Sequence, residues 1–191
     1  HAQMHRPRVV SPEDRTRLGG AIGFIGDYES ERALCMYFLA QNGLKVKVWG
    51  PNWQKCPFRH PNLEIQYNGV WADDYVKAIC SFEINLGFLR KVNRDLSTTR
   101  SLEIPACGGF FLAERTADHM ALFKEGKEAE FFDSPEELLK KARFYLQNSE
   151  KRCEIAENGR RKCIESGYSY EHRLEETLEV LRKEFPNGRL D

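Results

Sequence analysis

The stretch EINLGFLRKVNRDLSTTRSLEIPACGGFFLA, residues 83–113, decides the fold. Residues 83–88 and 110–113 are short apolar runs of the kind that form buried strands. Between them, residues 99–107 predict a helix, which the two glycines that follow would end. Two buried strands joined through a helix predict parallel neighbours, because parallel strands need a long crossover connection.

The same alternation of strand and helix extends over most of the chain. Outside this stretch, strands are predicted at residues 21–25, 44–49, 63–66 and 128–132, and helices at residues 29–41, 73–80 and 117–123. This rhythm predicts an α/β fold, a Rossmann-like parallel sheet flanked by helices on both faces. Ligands of such sheets bind at the carboxyl ends of the strands.

The last third of the chain is predicted to be helical. Ser134, followed by proline and two glutamates, is typical of a helix N-terminus. Helices are predicted from there on, including residues 149–166 and 170–184. The chain then divides into a polar lead-in or added residues at 1–18, a Rossmann-like domain at 19–133, and a carboxyl-terminal helical extension packed on the same domain at 134–191.

The overall charge excludes partners held by bulk electrostatics. The 191 residues include 29 Lys or Arg and 29 Asp or Glu, so the formal net charge is zero. We therefore expect no nucleic-acid partner, because such chains carry a basic excess. The longest apolar runs are far shorter than the roughly 18–20 residues that a membrane-spanning helix needs, so no membrane span is expected.

The cysteines and the amino terminus indicate the compartment. No signal peptide is visible, and the six cysteines show no C-x2-C spacing of a structural zinc site. We expect a cytoplasmic protein with free thiols, and a disulfide framework is the alternative.

Residues 87–102 carry an unbalanced charge, with four basic residues against Asp95, a local excess of three. The window follows a central strand and opens a helix at Ser97, Thr98 and Thr99, which supply hydroxyl caps and free backbone N–H groups. A helix N-terminus beside arginines suits phosphate. The alternative is a capped helix whose arginines lie in solvent. The basic residues are Arg90, Lys91, Arg94 and Arg100.

Two carboxylates accompany these bases. Asp95 precedes the predicted helix, and Glu103 lies about one turn inside it, with seven residues between the two acids. An ionised carboxylate only accepts hydrogen bonds, which suits the hydroxyls of a sugar. A ligand with both phosphate and polyol groups would explain the acids and the bases together, although the acid spacing alone is a weak pattern.

The first predicted strand ends at Gly26, at a loop suited to close approach of a ligand. The glycines there do not form a G-x-G-x-x-G with a ribose-binding acid at the usual distance, so we expect no nicotinamide cofactor. Arg32, on the next helix, is expected either to point at a phosphate or to pair with Glu29.

Some aromatic residues and histidines remain open. Trp49, Trp53 and Trp71 lie at or beyond predicted strand ends, where core or rim packing is favoured over stacking on a base or sugar. His119 and His172 lie in predicted helices without a nucleophile partner, and we expect surface or capping roles for both.

Several short motifs along the chain are specific. They are NRDLSTTRSLEIPACGG at 93–109, FIG at 24–26, VWGPNW at 48–53, ERT at 114–116, FFDSPEEL at 131–138 and GYSY at 167–170. Together they resemble the spore-maturation CgeB-like glycosyltransferases, over about residues 20–183. The resemblance implies the carboxyl-terminal half of the two-domain GT-B fold, which binds the nucleotide-sugar donor.

The resemblance also implies residue roles. In related retaining enzymes of that fold, an acid-x7-acid motif leads into this same helix. Carried over, Glu103 would hold the donor ribose, and Asp95, in place of the usual Glu, would lie near the transferred sugar; these two form the catalytic pair. Arg94, and by looser analogy Arg32, would hold the diphosphate. The other donor-binding residues would be Gly26, Ser97, Thr98, Thr99, Arg100, Arg115 and Thr116.

A whole GT-B enzyme has a second domain, which binds the acceptor, and 191 residues suffice for only one. We therefore expect a donor domain that binds a nucleotide-diphosphate sugar, with an unknown acceptor and a possible amino-terminal acceptor domain. No cofactor and no metal are required, since arginines and helix amides would neutralise the leaving diphosphate. The alternatives are a non-catalytic nucleotide- or sugar-binding module and a structural docking domain.

Overall fold

The computed structural model describes residues 3–185 and confirms the α/β fold. Six strands form one parallel sheet in the order β3-β2-β1-β4-β5-β6. The strands are β1 (Gly20–Ile25), β2 (Val46–Trp49), β3 (Leu63–Ile65), β4 (Phe82–Gly87), β5 (Phe111–Glu114) and β6 (Glu130–Phe132). Every predicted strand is present, with its ends shifted by at most two residues.

Helices connect these strands and continue after the last one. They are α1 (Pro12–Leu18), α2 (Ser30–Gln41), α3 (Ala72–Ser81), α4 (Thr99–Ala106), α5 (Ala117–Leu122), α6 (Pro135–Gln147), α7 (Ser149–Glu165) and α8 (Tyr170–Glu184). Only α1 is unpredicted, because that polar segment buries a single side chain, Leu18. The ends of the predicted lead-in and helical extension, residues 1–2 and 186–191, lie outside the described residues.

Helices cover both faces of the sheet. Successive side chains of a strand point to opposite faces, and in β5 Leu112 packs into the core beneath α2 and α6. Its neighbours Phe111 and Ala113 pack into the core beneath α3, α4 and α7. The strand β5 is therefore buried on both sides, which explains why residues 111–113 are a continuous apolar run.

The order of the strands creates a crevice at the carboxyl ends of β1 and β4. The strand β1 continues into α2 on one face, whereas β4 continues into α4 on the other face. Where neighbouring connections leave in opposite directions, the loops separate and a ligand can enter between them. The window of excess positive charge lies in the loop that follows β4.

The carboxyl-terminal helices differ in how they pack. The N-cap Ser134 accepts a hydrogen bond from the N–H of Glu137 (3.1 Å), as its sequence predicts, and α6 packs on the sheet. The helix α7 packs against α4. In contrast, α8 contributes no buried residue to the described structure.

Candidate functional site

The crevice lies between α3 and α4 above β1 and β4. Four lining residues come from the strands, namely Gly23, Ile25, Asn85 and Leu86. Four come from the helices, namely Tyr75, Ile79, Arg100 and Ile104. Two loops border it, residues 26–29 after β1 and residues 88–98 after β4. Five of the predicted site residues lie on these loops, namely Gly26, Arg94, Asp95, Ser97 and Thr98.

Ion pairs join the two loops. Arg90 lies 3.2 Å from a carboxylate oxygen of Asp27 and 3.1 Å from one of Glu29. At the base of the second loop, the N–H of Leu89 donates to the Glu114 carboxylate (2.6 Å), and burial raises the pKa of that carboxyl. Asp27 and Glu114 are not among the predicted site residues. Their position directly after a strand was the available signal.

Gly26 ends β1 in close contact with its surroundings. Its N–H donates to the carbonyl of Trp49 (2.8 Å), and its own carbonyl accepts from the Trp53 indole (2.9 Å). A Cβ at this position would come within 2.6 Å of the Phe24 ring. The glycine therefore lets the chain turn tightly at the edge of the crevice.

Arg32, on α2, contacts the loop after β1 and is 7% exposed. It donates to the Asp27 carbonyl (3.2 Å) and lies 3.4 Å from the Glu29 carboxylate, so the predicted Glu29 pair is present. Burial lowers the pKa of its guanidinium. Within residues 3–185, its buried Nε has no hydrogen-bond partner.

Arg100 approaches the same crevice from α4. Its Nε is also buried without a hydrogen-bond partner in the described part of the chain. Buried polar groups in native proteins are nearly always paired, so such exceptions call for an explanation. Arg100 therefore brings a positively charged side chain with an unused donor to the crevice, and Arg32 brings another to the loop after β1.

The first turn of α4 is partly capped from within. The N–H of Thr98 donates to Ser101 Oγ (3.0 Å). The amides of Thr99 and Arg100 belong to the first turn, where a helix supplies no acceptor of its own. They are the groups that an anion at this helix end would meet.

The two predicted catalytic acids lie in different surroundings. Asp95 is half-buried in the loop after β4, next to the exposed Arg94, whose backbone is left-handed (φ 54°). Glu103 accepts a hydrogen bond from the Tyr75 hydroxyl (2.6 Å) and lies 3.7 Å from His5 Nε2. The Glu103 carboxylate faces the crevice wall formed by α3. The ribose-binding role of Glu103 stays a prediction.

Three further predicted residues serve mainly as connections. The Arg115 guanidinium contacts the carboxylates of Glu125, Asp133 and Glu137. Thr116 donates to the Leu96 carbonyl (2.6 Å), and Ser97 donates to Asp118 (3.1 Å). In this structure Arg115 is turned away from the crevice, whereas Ser97 and Thr116 tie the loop after β4 to α5.

The three tryptophans divide into two groups. Trp49 and Trp53 are buried, as favoured for all three. Trp71 is 76% exposed and lies one turn before Tyr75, whose N–H donates to the Trp71 carbonyl (3.3 Å). The expectation of core or rim packing therefore does not describe Trp71, whose indole ring lies over Gly69 beside the crevice.

The expectation of a surface or capping role for His119 is wrong. The side chain is 1% exposed and bridges α4 and β5 through hydrogen bonds to Ser101 and to the Glu114 carbonyl. A single polar residue in a six-residue helix gives no periodic signal of burial. The six cysteines, by contrast, are free thiols as expected.

Comparison with known proteins identifies the family. A family model described as glycosyl transferase-like matches residues 32–179. This chain belongs to that family. The matched segment includes the loop after β4, α4, Arg32 and Arg100. No curated protein matches the sequence.

Solved structures of glycosyltransferases share the fold. The carboxyl-terminal domain of the group 1 glycosyltransferase LpcC from Francisella tularensis is 12% identical, with a TM-score of 0.64, covering 88% of this chain and 98% of that one. A Rickettsia africae glycosyltransferase is 12% identical (TM-score 0.74, 98% of this chain, 56% of that one). Anabaena HepE in complex with UDP-glucose is 13% identical (TM-score 0.65, 85% and 50%).

These coverages locate the chain within the fold. It spans nearly all of the LpcC carboxyl-terminal domain, but only about half of the Rickettsia and Anabaena chains. The fold is therefore the Rossmann-like domain of GT-B glycosyltransferases. In the described part of the chain, no helix is long and apolar enough to cross a membrane.

Proposed function

We propose that this chain is the donor-binding domain of a CgeB-like GT-B glycosyltransferase and binds a nucleotide-diphosphate sugar. One observation carries the proposal: Arg100 lines the crevice, Arg32 contacts the loop after β1, and each has a buried Nε without a partner among the described residues. A diphosphate offers the charge and the acceptors that these donors lack. UDP and UDP-glucose are bound by Anabaena HepE, which has the same fold.

In this proposal the diphosphate lies at the N-terminus of α4. The guanidinium groups of Arg32, Arg94 and Arg100 would surround it, and the amides of Thr99 and Arg100 would donate to its oxygens. Arg94 is exposed in the loop after β4 and would have to turn toward the ligand. The donor site would then need no metal, because arginines and amides supply the positive charge.

The nucleoside would extend from the diphosphate toward α3. Glu103 has the capacity to accept from ribose hydroxyls while it holds Tyr75, since a carboxylate offers about four lone-pair sites. Trp71, one turn before Tyr75, offers an exposed ring on which a base can stack. Asp95 would face the transferred sugar, as the acid-x7-acid resemblance implies.

The chemistry proposed for the site is stabilisation of the leaving group. When the bond between the sugar and the diphosphate breaks, negative charge develops on the diphosphate. Fixed cations and helix amides in a half-buried crevice stabilise this charge more strongly than water does. The acceptor hydroxyl attacks the sugar carbon as the bond to the diphosphate breaks, and its proton passes to the departing diphosphate oxygen as the new glycosidic bond forms.

An amino-terminal acceptor domain is part of the same proposal. The helix α8 has no buried residue in the described structure, yet an apolar stripe runs along it. The stripe consists of Tyr170, Leu174, Leu178, Leu181 and Phe185. The chain also spans only about half of the Rickettsia and Anabaena glycosyltransferases. An acceptor domain packed on α8 would cover the stripe.

Free thiols fit a cytoplasmic location.

Titration calorimetry tests the donor site. UDP, GDP and ADP, their sugars and the matching nucleosides are titrated into the chain. We expect one diphosphate to bind, and its nucleoside to bind more weakly. No binding at millimolar concentration would refute the proposal, as would equal affinity for nucleoside and diphosphate. Donor hydrolysis or transfer by the chain combined with an amino-terminal domain would then distinguish an enzyme from a binding module.

A further inference from the structure

A buried chain of hydrogen bonds links the end of β5 to the first turn of α4. His119 Nδ1 lies 2.7 Å from the Glu114 carbonyl oxygen, and His119 Nε2 lies 2.7 Å from Ser101 Oγ. Ser101 Oγ lies 3.0 Å from the amide nitrogen of Thr98. Both His119 and Ser101 are 1% exposed.

The partners fix the direction of every bond. A carbonyl oxygen only accepts, so Nδ1 of His119 must carry a proton and donate to Glu114. In the neutral ring Nε2 is then an acceptor, and the Ser101 hydroxyl donates to it. The Thr98 amide can only donate, so it donates to Ser101 Oγ. Each donor has one acceptor, and a neutral ring protonated on Nε2 instead would set Nδ1 and the Glu114 carbonyl, two acceptors, against each other.

The surroundings hold the ring in this form. It stacks on Phe131 (centroids 5.7 Å apart, planes 7° apart), and it contacts the edge of Phe111 at 5.5 Å. Burial lowers the pKa of His119, against smaller opposing effects of the Glu114 carbonyl and the Asp118 charge. The ring is therefore neutral and rotationally fixed at neutral pH.

Two further bonds tie the same segment to α5. The Thr116 hydroxyl donates to the Leu96 carbonyl (2.6 Å), and Ser97 donates to the Asp118 carboxylate (3.1 Å). Thr116 thus holds residue 96 of the loop before α4, and Asp118 holds residue 97. Ser101, which is hydrogen-bonded to His119, holds residue 98. His119 is the buried member of this set.

We infer that His119 is a positioning residue for the donor diphosphate, acting through Ser101 and Thr98 to aim the free amides of Thr99 and Arg100. This inference rests on the proposed function, since the amides matter only if an anion binds there. The Thr98 N–H already donates to Ser101 and is not available to a ligand. His119, by holding Ser101, therefore leaves the amides of Thr99 and Arg100 to face the ligand. A helix N-terminus that rotates by a fraction of a turn would lose this aim.

Two variants of His119 separate the inference from a general structural effect. In His119→Gln, the longer amide can reach the position of Nε2 and accept from Ser101. In His119→Asn, the shorter amide can replace Nδ1–H toward Glu114 but cannot reach Ser101. Both are neutral and both remove the ring, so their losses of packing are matched. Ser101→Ala removes the hydroxyl that links His119 to Thr98.

The measurement is the ratio of affinities for UDP and uridine, or for another pair if the wild type prefers GDP or ADP. We expect His119→Asn and Ser101→Ala to lower this ratio about tenfold or more, with affinity for the nucleoside unchanged. His119→Gln should keep the ratio within about threefold of wild type. Circular dichroism and thermal unfolding confirm that each variant is folded.

The outcomes distinguish the two proposals. If the wild type binds no nucleoside diphosphate, the proposed function fails and this inference fails with it. If it binds but the folded variants keep the wild-type ratio, the positioning role is overturned and the donor site stands. If a variant does not fold, nitrogen NMR of wild-type His119 decides: a neutral ring protonated on Nε2 would overturn the relay.

Discussion

Arg100 offers the sharpest test of the donor site, because its removal should change binding and stability in opposite directions. In the free protein its buried Nε has no partner among the described residues. Arg100→Met keeps an unbranched apolar stem in the crevice wall and removes the charge and the unused donor. A hydrogen bond to a charged group contributes about 1.5–3 kcal/mol. With a factor of ten for each 1.4 kcal/mol, diphosphate binding should weaken about 10–150-fold.

Stability should move the other way. An unpaired buried donor costs about 1–3 kcal/mol of desolvation, and the substitution relieves this cost. For a domain of this size, about 2–4 °C in Tm corresponds to each kcal/mol. The free variant should therefore unfold at the wild-type Tm or a few degrees above it. Such a split between function and stability is typical of residues kept for binding.

Calorimetry with UDP and thermal unfolding of the free protein measure the two quantities. Arg161→Met is the matched control, because Arg161 is exposed on α7 and pairs only locally with Asn158. It should change neither quantity. If Arg100→Met folds, binds the diphosphate as tightly as wild type and loses stability, Arg100 is a structural residue and the reasoning is refuted.

The other predictions follow from neighbouring groups. Trp71→Ala should weaken nucleoside binding by about 1–3 kcal/mol in calorimetry, with Trp71→Phe intermediate and Tm unchanged; equal affinities would exclude stacking. Glu103→Ala should weaken nucleotide binding with little loss of stability, and an unchanged affinity or a collapsed fold would contradict the ribose role. Arg115→Ala should lower the free energy of unfolding by about 0.5–3 kcal/mol and leave the affinity for UDP unaltered, because its three carboxylates lie outside the crevice. The lowered pKa of His119 means that the unfolded chain binds its proton first, so stability should fall as the pH drops below about 6.5. Denaturant unfolding at pH 7 and pH 5.5 should show a larger loss in wild type than in His119→Gln, and equal losses would disprove it.

Local patterns predicted the parts of the fold that depend on local rules. The strands follow from apolar runs buried on both faces, and the start of α6 follows from Ser134 and the proline after it. The helix α1 was not predicted because its residues are polar and only Leu18 enters the core. Amphipathic spacing cannot reveal a helix that is held mainly by surface ion pairs such as Arg17 with Asp74.

The candidate site was predictable as a location and only partly as a set of contacts. Strand ends and the basic window indicated the crevice, which Arg100 lines, and the loop after β1, which Arg32 contacts. Contacts across long sequence distances were not visible: Tyr75 and Glu103 are 28 residues apart, and Arg115 meets Glu137 22 residues later. Whether a charge faces a ligand or another charge depends on such partners, and one sequence does not contain their geometry.

The sheet has a further consequence at its two borders. The outermost strands, β3 and β6, are three residues long each, and β6 is buried at every residue. Short border strands are poor templates for an added strand, so this sheet has little means of extending into another one. Any neighbouring domain would therefore attach through helices and loops rather than through shared strands. Such a unit can be exchanged between parent proteins by recombination without reopening its hydrogen-bonded framework, and a chimaera joined before β1 should retain this sheet intact.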